Sequence, residues 1–251
     1  MSLLLSSATV QLFRPPYDRF EKYDPALTAV PGALPGAALI WWIVDAERQQ
    51  DEFDALRDRP YELPLLILLP PPREIGRTLP LINVIGTLHP RAVLPVGAFG
   101  AAEHLRHVLA APPPALAEAA VEHLRRRGVL PNRTVRREVH RILELAPEVP
   151  SISKLARRMY TSRRTLGRHF AAAKLPVPSH WLQFARLLHL TIHLQNESTA
   201  VFRLAARAGY PDGFTMSNQM KRLIGYRPTE VRQFLGWEWV VEAWLRREGV
   251  V

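Results

Sequence analysis

The sequence predicts two domains of different fold class: an N-terminal α/β domain, with a small parallel sheet flanked by helices, and a C-terminal all-α domain with two helix-turn-helix motifs. Three observations support this division. Apolar strand candidates alternate with amphipathic helices in the first half, whereas the second half has helical periodicity throughout. The charge changes at the same place, because residues 1–130 carry 13 Lys and Arg against 14 Asp and Glu, and residues 131–251 carry 20 against 9.

The N-terminal half is predicted to alternate strands with helices. The strands are expected at 7–13, 38–44, 63–69 and 92–96, and the helices at 46–57, 73–88, 101–110 and 115–127. The run 63–69 is apolar throughout, which is typical of a strand buried on both faces. Asp45 is the candidate N-cap of the first helix. Gly128 and Pro131 are typical of a helix end, so we expect the domains to cover residues 1–130 and 131–251.

The C-terminal half is predicted to be helical throughout. The expected helices are 133–145, 152–159, 163–173, 179–195, 200–208, 214–224 and 229–246. The long helix 179–195 separates two similar segments, each with a short apolar helix, a turn and a second helix whose outer face is polar and basic. A second helix of this kind is the element that enters a DNA major groove.

Composition excludes several classes of protein. The chain has no cysteine, which excludes disulfides, thiol catalysis and Cys-ligated zinc. No apolar run reaches the ~18 residues of a spanning helix, so no membrane partner is expected. The basic excess is confined to the second half, which favours a nucleic-acid partner. Arginine outnumbers lysine 29 to 4, a bias typical of a GC-rich bacterial genome, and we expect a cytoplasmic protein at the bacterial nucleoid.

The two helical segments share a motif with a known family. In the first segment the motif residues are Leu155, Ala156, Ser162, Leu166, Arg168 and Phe170; in the linker helix, Arg186; in the second segment, Ala205, Gly209, Tyr210, Asp212, Ser217, Lys221, Arg222, Gly225 and Pro228. Over roughly residues 133–234 the chain resembles the AraC/XylS family of bacterial transcription regulators. It departs from the family at Met216 and Met220, where aromatics are usual, and at Phe214, Asn218 and Arg227. Methionine fills the same apolar space, so we expect the fold to be kept.

The resemblance implies a sequence-specific DNA-binding transcription regulator that places two recognition helices in successive major grooves. The candidate DNA-binding residues are Ser162, Arg163, Arg164, Thr165 and Arg168 on the first helix, and Gly213, Thr215, Ser217, Asn218 and Lys221 on the second. Arginine reads guanine and asparagine reads adenine, although most contacts in such interfaces go to phosphate. A solvated helix face remains the alternative for the arginines. Phe214 is interpreted as packing against its neighbours rather than touching a thymine methyl group.

No catalytic residue, cofactor or metal site is expected. His189 and His193 lie four residues apart, but no third ligand is suggested near them or near His169, so a surface pair on the linker helix is the preferred interpretation. The N-terminal half weakly resembles a response-regulator receiver. Its third strand is followed by Pro70-Pro71-Pro72 and not by an acceptor Asp, so we expect no phosphorylation. The chain has no Gly-rich phosphate loop and no Gly-x-Ser-x-Gly motif, and we expect no enzyme activity.

Two alternative functions stay open: a non-specific architectural DNA-binding protein, and a DNA-binding module fused to a cysteine-independent enzyme domain. The expected partner is double-stranded DNA. RNA polymerase, a homodimer and a small-molecule or protein effector of the N-terminal domain are left open as further partners. An apolar stripe near the end is interpreted as packing on the N-terminal domain, with a dimer interface as the alternative; it comprises Phe234, Trp237, Val241, Trp244 and Leu245. Helices 101–110 and 115–127 are expected to leave apolar surface for a homodimer.

Overall fold

The computed structural model describes residues 9–28, 30–43, 50–69, 85–95 and 102–251. The chain forms two compact units, and each is built from two stretches of sequence. The first unit comprises Met1–Ala110 and Gln233–Trp239, and the second comprises Ala111–Arg232 and Val240–Val251. Along the chain, the first boundary between the units therefore follows Ala110 and not residue 130 as predicted. The reason is that the helix after Ala110 packs against the next helix of the second unit.

The first unit contains one five-stranded sheet, in the order β2-β1-β3-β4-β5. Its strands are β1 (Val10–Phe13), β2 (Phe20–Lys22), β3 (Ala38–Trp42), β4 (Leu65–Leu69) and β5 (Ala92–Pro95). The predicted α/β class is confirmed, but the sheet is mixed and not wholly parallel. Strands β3, β4 and β5 are parallel, whereas β1 runs antiparallel to both β2 and β3. The short connection between β1 and β2 allows only an antiparallel pair.

The inner strands β1, β3 and β4 are buried on both faces, whereas the edge strands β2 and β5 are partly exposed. Alternate residues of β4 point to opposite faces, with Leu65 and Ile67 in one apolar cluster and Leu66 and Leu68 in the other. Helix α1 (Gln50–Arg57) contributes Leu56 to the first cluster. Helix α2 (Ala102–Ala110) contributes Leu105 and Leu109 to the second. The prediction of a strand buried on both faces at 63–69 is confirmed, with the strand itself beginning at Leu65.

The segment Gln233–Trp239 is held in the first unit by specific contacts. The Tyr17 hydroxyl donates to the carbonyl of Gly36 and accepts from the amide of Leu235, both at 2.7 Å. Gly36 has φ +76°, and a Cβ added to it would lie 2.8 Å from the Cα of Phe234. Arg91 adds an ion pair to Glu238 at 3.1 Å. These contacts make residues 233–239 an integral part of the first unit.

The second unit is helical, as predicted. Its helices are α3 (Leu116–Arg126), α4 (Arg133–Leu145), α5 (Ile152–Arg158), α6 (Arg163–Ala172), α7 (Pro178–Asn196), α8 (Val201–Arg207), α9 (Gly213–Ile224), α10 (Pro228–Val231) and α11 (Glu238–Arg247). The first two residues of α11 belong to the first unit. The prediction of a single helix at 229–246 is wrong. The chain forms α10 and α11 instead, and Gly236 between them has φ +84°.

The predicted apolar stripe near the end of the chain is divided between the two units. Phe234 and Trp237 belong to the segment of the first unit. On α11, Trp244 stacks on Phe184 of α7, with ring centroids 4.2 Å apart and an angle of 13° between the rings. Val241 and Leu245 are fully buried beside it in the second unit. Trp244 thus packs on α7, whereas Glu242 of the same helix pairs with His123, which lies within the predicted N-terminal domain 1–130.

Of the six apolar residues expected to leave surface for a homodimer on helices 101–110 and 115–127, four are buried, whereas Val108 and Leu116 are half-buried. Leu105 and Leu109 are buried against the sheet, and Ala120 and Leu124 are buried in the second unit. These four residues offer no surface to a second copy. Asp45, most of the helix predicted at 73–88 and the prolines 70–72 lie outside the described residues. Within the described ranges, every helix is too short or too polar to cross a membrane.

Candidate nucleic-acid interface

The first module consists of α5, a turn and α6. Leu155, Ala156, Leu166 and Phe170 are buried and join the two helices. The turn closes with two hydrogen bonds, from the amide of Tyr160 to the carbonyl of Arg157 and from the amide of Thr161 to that of Ala156. This is the helix-ending geometry that requires a left-handed residue, and Tyr160 supplies it with φ +52°. The motif residues thus place α6 at a fixed angle to α5.

The predicted contact residues of α6 lie on its outer surface. Ser162, Arg163, Arg164 and Arg168 are exposed, and Thr165 is half-buried. Ser162 caps the helix, since its hydroxyl accepts from the amide of Thr165 at 3.0 Å and lies 2.8 Å from the Thr165 hydroxyl. Arg163 reaches the Ser153 hydroxyl at 3.4 Å. Ser162 and Thr165 therefore have a structural role in addition to any contact with a ligand.

Arg164 and Arg168 lie one turn apart on this outer surface. Within the part of the chain that the structure describes, neither makes an ion pair or a side-chain hydrogen bond. An open cleft of about 550 Å³ lies beside Arg163 and Arg164, and Ile152, Pro178 and Ser179 complete its lining. Helix α6 therefore offers two uncommitted guanidinium groups to a ligand.

The second module consists of α8, a turn and α9. Its turn has the same pair of hydrogen bonds, with Gly209 at φ +76° in the position that Tyr160 occupies in the first module. Arg186 of α7 fastens this turn: its Nη2 donates to the carbonyl of Ala208 at 2.6 Å, and its guanidinium lies 5.7 Å from the ring centre of Tyr210. The motif residues Arg186, Gly209 and Tyr210 are thus one structural cluster.

Asp212 caps α9 and fixes where this helix begins. Its carboxylate accepts from the amide of Thr215 at 2.6 Å. That backbone hydrogen bond, with a further one from the Thr215 side chain, lowers the pKa of Asp212. Met216 and Met220 are fully buried on the inner face of α9. The two methionines therefore fill apolar space in the core, as expected.

The outer face of α9 carries the other predicted contact residues. Thr215, Asn218 and Lys221 are exposed, whereas Gly213 and Ser217 are half-buried. Among the described residues, Asn218 and Lys221 have no side-chain partner. Phe214 is 76% exposed, so the interpretation that it packs against its neighbours is wrong. The inner face of α9 is already filled by the two methionines, which leaves the Phe214 ring outside.

Helix α7 carries both modules. At 1.5 Å per residue its 19 residues span about 28 Å. Trp181 near its beginning packs edge-on against Phe170 of α6, with ring centroids 6.1 Å apart. Gln183 accepts from Arg222 of α9 at 2.8 Å, and the carbonyl of Leu194 near the end of α7 accepts from Arg232 at 3.3 Å. Helices α6 and α9 are therefore both held against the same helix, α7.

The three histidines near the linker each have a different partner. His189 contacts the carbonyl of Leu143 at 3.0 Å, and burial lowers its pKa. His193 contacts Glu197 at 2.7 Å, and His169 contacts Glu138 at 2.6 Å. The described residues contain no group of three His, Cys, Asp or Glu side chains that could hold a metal ion. These contacts give the three histidines separate structural roles.

Tyr160 is a residue that motif reasoning missed. It is 98% exposed at the turn of the first module and lines an open cavity of about 200 Å³ with Arg137, Arg141 and Arg158. An aromatic residue at a helix end where glycine is usual was the signal in the sequence that could have drawn attention to it.

Residues 155–233 match the family described as a helix-turn-helix domain, of AraC type. The match begins in α5 and ends after α10, so it includes both modules and the linker helix. It supports a DNA-binding domain like that of the AraC family, and with it a role in transcription regulation. A comparison with curated proteins finds no match to the chain.

Proposed function

We propose that the protein is a sequence-specific transcription regulator that places α6 and α9 in successive major grooves on one side of a DNA duplex. One observation carries this proposal: both recognition helices are fixed to the same rod, α7, and both present uncommitted polar side chains outward. Successive major grooves are about 34–36 Å apart.

The two helices have different proposed contacts. On α6, Arg163, Arg164 and Arg168 bind guanine or phosphate, and Ser162 and Thr165 add hydroxyl contacts. On α9, the proposed contact residues are Gly213, Thr215, Ser217, Asn218 and Lys221. Lys221 lies in the last turn of α9 and is proposed as a phosphate contact. The net basic charge of residues 131–251 supplies the attraction that does not depend on sequence.

Selection of binding sites from a random DNA pool with the full chain, at fixed salt, tests the proposal. We expect one enriched sequence with two conserved blocks about 10–11 base pairs apart. A footprint on that sequence should protect two major-groove segments on one side of the duplex. A footprint confined to one groove would contradict the two-groove arrangement, and a pool without enrichment would favour a non-specific architectural protein.

We propose that the first unit regulates or dimerises the protein and has no enzyme activity. A homodimer, RNA polymerase and a small-molecule or protein effector are its candidate partners. Sedimentation of the full chain at micromolar concentrations, with and without the selected DNA, tests the homodimer. A fragment of residues 1–130 is unsuitable, since it lacks the segment Gln233–Trp239 of the same unit.

A further inference from the structure

Phe214 is a large apolar side chain that the second recognition helix leaves in solvent. It is the second residue of α9, and 76% of its surface is exposed. Met216 and Met220 fill the buried face of the same helix, so the core does not need the phenyl ring. An aromatic ring in water forgoes the burial that drives folding, which favours a contact that covers it in the bound state.

The neighbours of Phe214 indicate what would cover it. Thr215, Asn218 and Lys221 share the exposed surface of α9, and Asn218 lies one turn after Phe214 on the same side of the helix. A protein partner usually covers a continuous apolar patch of several hundred Å². The exposed surface of α9 combines one apolar ring with polar and basic side chains, and this combination matches the major groove instead. The groove is anionic and polar, and its isolated apolar groups are the 5-methyl groups of thymine.

We propose that Phe214 contacts the 5-methyl group of a thymine and that Asn218 binds an adenine within one or two base pairs of it. Four residues of helix advance about 6 Å, which is close to two base-pair steps. The second module would then select A·T pairs, whereas the first module, with Arg163, Arg164 and Arg168, would select G·C pairs. This inference rests on the proposed function and adds to it the base composition of each half of the site.

The test removes single methyl groups from DNA. In the sequence selected with the full chain, each thymine of the half bound by α9 is replaced in turn by deoxyuridine, which lacks only the 5-methyl group. That half is identified as the block whose selection changes in the Asn218→Ala protein. Burying one methyl group is worth about fourfold in Kd. We expect one thymine at which the change raises Kd by about this factor.

The same replacement is then measured with two variants. In Phe214→Ala, the methyl effect at that thymine should disappear, so that both DNAs bind equally. In Phe202→Ala, which alters another exposed aromatic of the second module, the effect should remain about fourfold. Phe202 lies on α8 and adjoins Gly213 at the start of α9, so it controls for changes in the apolar surface beside the recognition helix. Circular dichroism and a thermal melt confirm that both variants are folded.

A second DNA separates the methyl group from the base pair. Cytosine at the same position should weaken binding, and 5-methylcytosine should recover part of the loss with the unaltered chain but not with Phe214→Ala. A methyl effect that persists in Phe214→Ala, or no effect at any thymine, overturns the inference and leaves sequence-specific binding intact. Unchanged DNA affinity in Phe214→Ala also overturns it. A pool without enrichment overturns the proposed function as well.

Discussion

His123 of α3 and Glu242 of α11 form an ion pair inside the second unit, with 2.9 Å between Nε2 and Oε1. Both side chains are almost completely buried, at 1% and 5% exposure. Arg127 approaches the other carboxylate oxygen at 3.4 Å. The pair joins two helices that are far apart in the sequence, and its partners are already removed from water.

Removing one partner of this pair should be strongly destabilising. Glu242→Ala leaves His123 buried opposite a cavity, and we expect a loss of about 3 kcal/mol in the free energy of unfolding. Urea denaturation followed by circular dichroism measures it. Glu122→Ala is the matched control, because it removes a surface pair with Arg125 on the same helix. A control as damaging as Glu242→Ala would show that α3 itself, and not the buried pair, determines the result.

The same pair predicts how stability changes in acid. Burial raises the pKa of Glu242, but the hydrogen bond and charge of His123, with Arg127, outweigh it and lower the pKa overall. A carboxyl group whose pKa is lowered in the folded state contributes its full stabilisation of that state at pH values above its ordinary pKa of about 4.3. This contribution is lost as the pH falls through the folded pKa. Urea midpoints between pH 7 and pH 3 should therefore fall less steeply below about pH 4 in Glu242→Gln than in the unaltered chain.

The two helix-turn-helix turns predict opposite effects of glycine. Tyr160 has φ +52° and is 98% exposed, so Tyr160→Gly should relieve about 1 kcal/mol of backbone strain. Gly209→Ala should instead destabilise, since φ is +76° and the new Cβ would lie 3.0 Å from Nη2 of Arg186. Thermal melts of both variants measure the effects. Tyr160→Phe, which keeps the Cβ, should leave the melting temperature unchanged; a rise equal to that of the glycine variant would contradict the role of strain.

Gly36 should tolerate no side chain. Its φ of +76° and the 2.8 Å between an added Cβ and the Cα of Phe234 predict that Gly36→Ala displaces the segment Gln233–Trp239. We expect a loss of about 2 kcal/mol or more in the free energy of unfolding, measured by urea denaturation with tryptophan fluorescence. In Gly86→Ala the new Cβ meets no atom of the described residues within 4 Å, and this variant should denature like the unaltered chain.

Replacing Arg164 and replacing Lys221 should reduce DNA affinity in different ways on the selected site and on random DNA. If Arg164 reads guanine, Arg164→Ala costs about 1–3 kcal/mol on the selected site and less on random DNA. Lys221→Ala should weaken both DNAs alike and reduce the salt dependence of binding, as expected for a phosphate contact. Arg125→Ala, an exposed change on α3, controls for net charge. Equal losses on both DNAs in Arg164→Ala would make that residue a phosphate contact too.

The strands and helices that could be predicted from the sequence are those with a repeating apolar pattern or a family motif. The apolar run that forms β4 and the motif that forms α5 and α6 could be predicted because each uses a distinct residue periodicity. Strand β2 (Phe20–Lys22) could not be predicted, because a run of only three residues is too short to show the alternation that is typical of a strand. The break at Gly236 is hidden because apolar residues continue at helical spacing on both sides of it. Phe214 misleads by its type, since an apolar residue normally indicates burial.

The discontinuity of the first unit has a consequence for biosynthesis. A chain made from its N-terminus usually completes its N-terminal domain first. Here the Tyr17 hydroxyl can bind the Leu235 amide only after all of α5 to α10 has been made. Until then the apolar surface around Tyr17 and Phe13 lacks Leu235, which belongs to the same buried cluster. The second unit waits as well, since Trp244 and Glu242 of α11 are made after the segment Gln233–Trp239, so both units are expected to be completed together and late in synthesis.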